Sequence, residues 1–348
     1  MAQIKSFTFT CEFKEPREMS KLMSSDDNKG WKRLNFPVTD GNSVQFLDLF
    51  GMPFTTFKTY VKDGEKSSKE VTVKWEDRFN PSIVDQVVSY CKYVLDLGER
   101  QEFITEYDFL VALHDAVLNG KVQGQKLYIR GQIVFQKYNG QVQRRFKPQF
   151  ISYAKGDNLS FDGEISFVFD SESLDMESGK EKSQVYVDGY VLDYDKDAKK
   201  KVFMKETFVL DYSHINELTD ADDIDTARRQ LKLISSLLKV KKGYHEFGFV
   251  VKFLNGSTEQ KLTLEDLSDF ERDMVDAGIT TLEQIQKDRG MRSEYRNEVR
   301  LIRPLLSRYS TGVVERDDLT EDDFIVKVAD PLADLFANVE ITTDEFPF

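Results

Sequence analysis

The sequence predicts an α+β chain that is mainly β, and three observations carry that reading. Runs of alternating apolar and polar residues recur along the chain, and two of their junctions are Asp40-Gly41 and Asn139-Gly140, dipeptides that suit the positive φ values of tight hairpin turns. Aromatic residues make up 12% of the chain, with 27 Phe and 14 Tyr, a load that favours pleated, half-buried surfaces. Between the strand-like runs stand stretches with helical spacing and recognisable caps, so helices are inserted among strands rather than alternating with each of them.

In chain order, residues 4–13 set Phe7, Phe9, Cys11 and Phe13 against Ser6, Thr8, Thr10 and Glu12, the period of two of a half-buried strand. A polar stretch, 14–29, follows. Residues 31–38 and 43–51 read as a hairpin across Asp40-Gly41, and 69–76 as a third strand. A helix is expected from the Asn80 cap, with Pro81 in the first turn, apolar Ile83, Val84, Val87, Val88, Cys91, Val94 and Leu95, and a stop at Gly98. A second helix starts at Thr105, with Asp108 three residues on, and ends before Gly120. Residues 125–138 and 141–153 form the hairpin around Asn139-Gly140.

Three strands, a helical segment and two more strands is the element order of the OB-fold, a five-stranded barrel that commonly carries oligonucleotide binding. Residues 1–154 are therefore expected to be an OB-fold-like domain with an extra N-terminal strand. A looser version of the order recurs over 155–312. Strands fit 159–170, 184–194 and 202–212; a helix fits 222–240, a strand 244–254, a helical stretch 264–287 and a last strand 297–305. This is expected to be a second α+β domain, OB-like if its last strand closes the sheet. Residues 313–348 are an acidic tail.

Charge is unevenly spread. From Glu315 onward there are eleven acidic residues against two basic ones, which leaves about four of the thirteen net negative charges to the 314 residues before it. The body can therefore carry basic faces, and the tail can compete with nucleic acid for them. Cys11 and Cys91 are far apart and in no metal-ligand spacing; both read as small apolar residues of a reducing compartment. No run of 18 apolar residues occurs, so a soluble, cytoplasmic chain with no membrane partner is expected.

Catalytic signatures are scarce. His114, His214 and His245 are scattered, and Gly179-Lys180 lacks the upstream glycine of a phosphate loop. The run Asp193-Tyr194-Asp195-Lys196-Asp197 has calcium-loop character, but Ala198 fills the glycine position and Met204 that of the bidentate acid, so a hairpin turn is expected. No catalytic residue, metal or cofactor is assigned.

Binding signatures are stronger. With Leu127, Ile129, Ile133 and Phe135 facing a core, Tyr128, Arg130 and Tyr138 face outward; with Leu34, Phe36 and Val38 inward, Trp31 and Arg33 face outward. Rings beside arginines on barrel strands suit unpaired nucleic acid, since every base has a face to stack on and every nucleotide a phosphate. Lys74, Arg144, Arg145 and Lys147 add charge nearby, and Tyr60 lies in a ring- and lysine-rich segment, 54–69, expected to be a loop or hairpin over the barrel. The other reading of Trp31, Tyr128 and Tyr138 is that they cover an inter-domain contact.

The chain finishes Asp344-Glu345-Phe346-Pro347-Phe348, acids followed by a stiffened aromatic tip. This end resembles the C-terminal tip of bacterial and phage single-stranded DNA-binding proteins, with Phe346 where Ile or Leu is usual and two adjacent acids rather than a longer run. The resemblance implies a role in DNA replication, recombination or repair, with these five residues docking on replication and recombination proteins. The expected function is thus a non-catalytic single-stranded DNA-binding protein. An accessory or interaction protein without strong DNA binding, and a metal-dependent enzyme acting on nucleic acid, are the alternatives.

Overall fold

The computed structural model describes residues 3–324, apart from 27, 65–66, 139–140, 258–263, 265–266, 289–294 and 311. The chain is mainly β with inserted helices, and most of its strands belong to one large sheet. We number the ten long strands of that sheet in chain order and cite shorter elements by residue range.

In the N-terminal half these are β1 (Lys5–Phe13), β2 (Trp31–Thr39), β3 (Val44–Gly51), β4 (Lys126–Tyr138) and β5 (Gln141–Tyr153). Their pairings run in a circuit. The end of β1 pairs with β2, and β2 with β3, both antiparallel. β3 meets β5 in parallel where Leu47 faces Phe146, β5 pairs antiparallel with β4, and β4 returns antiparallel to β1. Helix α1 (Glu106–Leu118) lies between β3 and β4, capped by the Thr105 hydroxyl, which accepts the Asp108 N–H at 3.2 Å.

The C-terminal half repeats the arrangement with β6 (Ser160–Phe169), β7 (Gln184–Asp195), β8 (Lys200–Asp211), β9 (His245–Ser257) and β10 (Tyr295–Pro304). β6 pairs with β7 and β7 with β8; β8 meets β10 in parallel, β10 pairs with β9, and β9 returns to β6. Helix α2 (Ala221–Leu238), capped by Asp220, again falls between the third and fourth strands. The stretch 264–287 is two short helices, Asp269–Asp276 and Leu282–Asp288, the first opened by a Ser268–Glu271 capping box.

The halves share a core. β1 pairs along one edge with β4 and, from Lys5 to Thr10, along the other with β6. Phe9 accordingly contacts Phe146 of its own half and Phe161 and Phe253 of the other, with ring centroids 4.7–5.9 Å apart. Edge-on contacts of this kind add about 0.5–1.5 kcal/mol each beyond area burial, so the rings stabilise the halves jointly.

Two sequence expectations fail. The helix expected from Asn80 to Gly98 is a single turn, Pro81–Val84; Tyr93–Asp96 is instead a strand pairing in parallel with β5. The apolar residues of that run serve two different packings. Val87 bridges back to Val61 and joins a small cluster with Ile104, whereas Leu95 belongs to the main core. A run rich in β-branched residues gains more from these sheets than from helical spacing. The strand expected at 69–76 also falls outside the circuit. Ser68–Lys74 pairs with Thr56–Lys62 as a separate two-stranded sheet, and the N-terminal strand β1 takes the place in the circuit that the sequence had left spare.

Candidate nucleic-acid interface

β2 and β3 present one face to the core and one outward. Leu34, Phe36, Val38, Leu47 and Leu49 are fully buried, so alternation turns Trp31, Arg33, Phe46 and Phe50 out. Gly41 makes the turn between them at φ 93°. The Trp31 and Phe50 rings lie 6.0 Å apart, tilted by 34°.

Arg33 and Arg145 converge on one carboxylate. Asp48, nearly buried at 8% exposure, accepts Arg33 Nε at 2.7 Å and Arg145 Nη1 at 2.9 Å. Asp48 holds both guanidinium groups beside the Trp31–Phe50 pair and leaves that cluster one net positive charge. Lys147, next along the outward side of β5, donates to Glu106 Oε2 at 3.3 Å. Glu106 Oε1 accepts the Phe50 N–H at 3.0 Å, tying the end of β3 to the first turn of α1. Burial raises the Glu106 carboxyl above its usual range, against the opposing pull of Lys147. Gly51 is needed here, because a Cβ would come within 2.5 Å of Tyr107 Cα.

The separate hairpin closes a groove of about 540 Å³ over this corner. Its rings are Phe50, Phe54, Phe57, Tyr60, Trp75, Tyr90, Tyr93 and Tyr107, with Lys58, Glu106 and Lys147 among the polar lining. Phe54 and Tyr90 expose more than half of their surface, at 53% and 57%. Arg78 fixes the hairpin to the body. Its guanidinium lies 4.4 Å from the Trp75 ring centroid and 4.3 Å from that of Phe79, and it donates to Asp108 of α1 at 2.9 Å. The groove's rings offer flat faces for stacking, and its lysines lie among them.

The structure gathers part of the expected site and scatters the rest. Trp31 and Arg33 on β2 and Arg145 and Lys147 on β5 flank β3. Lys147 and Tyr60 line the groove, whereas Trp31, Arg33 and Arg145 lie outside its lining. Lys74 is at the hairpin end, 3.6 Å from Glu76. Tyr128 and Arg130 face Phe150 on the β4–β5 surface, Tyr128 edge-on at 6.1 Å and Arg130 over the ring at 5.3 Å. Arg144 points to the other half, where Glu206 and Asn297 accept its N–H groups. Tyr138 stands exposed at the end of β4; the Asn139-Gly140 turn beyond it lies outside the described residues. So do Asp344, Glu345, Phe346, Pro347 and Phe348.

Phe50, Trp75 and Tyr107, which line the groove, were missed as site residues. For Phe50 the signal was present, since it occupies the outward phase of a strand whose Leu47 and Leu49 face in. Trp75 and Tyr107 are brought in by chain reversals that no local pattern encodes. The turn around Asp195 is a hairpin turn as expected, its carboxylate accepting the N–H groups of Asp197 and Ala198 at 2.8 and 3.2 Å. Cys11 is buried, but Cys91 only partly so. Among the described residues no helix is long and apolar enough to cross a membrane. Compared with protein families, curated proteins and solved structures, the chain finds no match.

Proposed function

We propose that the chain is a single-stranded DNA-binding protein, acting by binding rather than catalysis, in which each five-strand circuit is an OB-type barrel. The observation that carries this is the ring-lined groove at the C-terminal end of β3. Support for the barrels comes from the strand order first, second, third, fifth, fourth and back to first, with a helix between the third and fourth, found in both halves. The face of the second and third strands is where such barrels take oligonucleotides. Here that face carries Trp31 and Phe50 for bases, with Arg33 and Arg145 for phosphates. Tyr60, Lys74 and Lys147 extend the track toward the hairpin, while Tyr128, Arg130, Tyr138 and Arg144 supply further contacts along β4 and β5.

The acidic tip formed by Asp344, Glu345, Phe346, Pro347 and Phe348 recruits replication or recombination proteins in this reading, its rings entering an apolar pocket and its acids pairing with basic groups around it. The test uses the intrinsic fluorescence of the two tryptophans, since Trp31 touches Phe50 and Trp75 lines the groove. An oligothymidylate should quench it, with affinity falling steeply as salt is raised and with weaker binding to duplex. A flat titration together with no gel shift at micromolar protein overturns the proposal in favour of an accessory protein.

A further inference from the structure

The second circuit carries its own outward face of rings and lysines. Along β7 and β8, opposite positions pair Tyr190 with Lys205, Leu192 with Phe203 and Tyr194 with Lys201, while Val187 and Val191 turn into the core. This face holds the same position in its circuit as the Trp31–Phe50 face does in the first. An aromatic ring already sits on it. Phe324 stacks on Phe203 at 4.8 Å and on Tyr244 at 4.4 Å, with interplanar angles of 27° and 25°, and meets Tyr190 edge-on at 4.8 Å.

Phe324 reaches this slot on a short, tethered segment. Val314 and Glu315 pair with the start of β9, and Arg316 is held by the buried Glu246 and by Asp318. The slot is therefore shaped to take a flat ring between two others, which is the geometry a single unpaired base requires. Its surroundings have two signs. Asp188 is taken up by Lys205 at 2.7 Å, Asp170 and Glu172 lie near Tyr190, and Glu321, Asp170 and Asp323 lie near Tyr244. Lys199, Lys200 and Lys201 at the β7–β8 turn, and Lys241 and Lys242 just before Tyr244, are all exposed and make no ion pair among the described residues. Exposed lysines beside a stacking slot, taken up by no ion pair, are open to the phosphates of a strand whose base stacks there.

We propose that the outer face of β7 and β8 is a second single-strand site, in which the slot between Phe203 and Tyr244 takes an unpaired base and Lys201 with its neighbours takes phosphates. Phe324 stands in the slot where the base would lie, so a strand must displace it. The inference rests on the single-strand reading above and extends it to the second barrel.

The experiment compares the full-length chain, Phe324→Ala, Phe324→Ala with Lys201→Glu, and Phe50→Ala, measuring oligothymidylate affinity and the length of polythymidylate covered per chain. Emptying the slot should raise affinity about 5-fold or more and lengthen the covered stretch. Adding Lys201→Glu, an exposed change that leaves folding alone, should cancel part of the gain and flatten the salt dependence. If Phe324→Ala matches or weakens the parent while Phe50→Ala abolishes binding, the second site falls and the first stands. If the parent is silent and Phe324→Ala binds, the second site stands and the first falls. If no variant binds, both fall.

Discussion

Lys5 and Asp193 stand 188 residues apart in the chain, yet the Lys5 ammonium lies 2.6 Å from the Asp193 carboxylate. The same carboxylate oxygen accepts the Phe135 N–H at 2.8 Å. One side chain on β7 thus fastens both the first and the fourth strands of the N-terminal circuit to the C-terminal one. The placement of the two outward faces relative to each other is set by this joint and by the β1–β6 pairing beside it.

Asp193→Ala should lower stability by about 1–3 kcal/mol, because the Phe135 N–H loses its acceptor and a mostly buried ammonium loses its carboxylate, keeping the Leu192 carbonyl. Urea unfolding with unchanged slope would report it. A change below about 0.5 kcal/mol would mean the shared aromatic core and the β1–β6 pairing hold the halves without this joint.

Phe50→Ala should weaken single-strand binding by about 5- to 150-fold, the equivalent of about 1–3 kcal/mol of stacking, with little change in melting temperature. Phe50 is 44% exposed, so it carries little of the core. A large loss of stability without loss of affinity would reassign the ring to packing against Trp31.

Arg33→Gln and Arg145→Gln should each reduce the slope of log affinity against log salt by about 0.7, the value for one single-strand phosphate contact. Asp48→Asn should act differently, since it releases both guanidinium groups from their shared anchor. It is expected to cost stability while leaving the salt slope near that of the parent. Unchanged slopes for both arginine variants would place the phosphates elsewhere.

Glu106→Gln tests the raised carboxyl at the groove floor. Burial holds this group above its ordinary value of 4.5, so the folded chain binds that proton more tightly than the unfolded one. Its contribution to stability is fully present below the ordinary value and is lost as pH rises through the raised one. The melting temperature of the parent relative to Glu106→Gln should therefore fall as pH rises above the ordinary carboxylate value. A difference that grows with pH would mean the Lys147 pair outweighs desolvation.

What the sequence could settle was local. The period of two in β1, β2 and β4 assigned inward and outward residues, because successive side chains on a strand must face opposite ways. The Asp40-Gly41 turn and the Thr105 cap bounded elements for equally local reasons: each satisfies its own backbone within a few residues. The same rules misread residues 80–98, where an apolar run consistent with one helix face is divided between two sheets.

Partnership between distant strands was decided only in three dimensions. Alternation shows that Phe9 is buried but not that Phe253 lies against it, and nothing near residue 5 announces that β1 pairs with β4, β6 and β2 in turn. Ser68–Lys74 satisfies strand patterning as well as β1 does, yet it is β1 that joins the circuit, because its four inward residues, Phe7, Phe9, Cys11 and Phe13, bury far more apolar surface there. The groove follows from that choice. Released from the sheet, the hairpin carries Phe57, Tyr60 and Trp75 over the end of β3, and sites assembled from separate elements leave no single stretch of sequence to read.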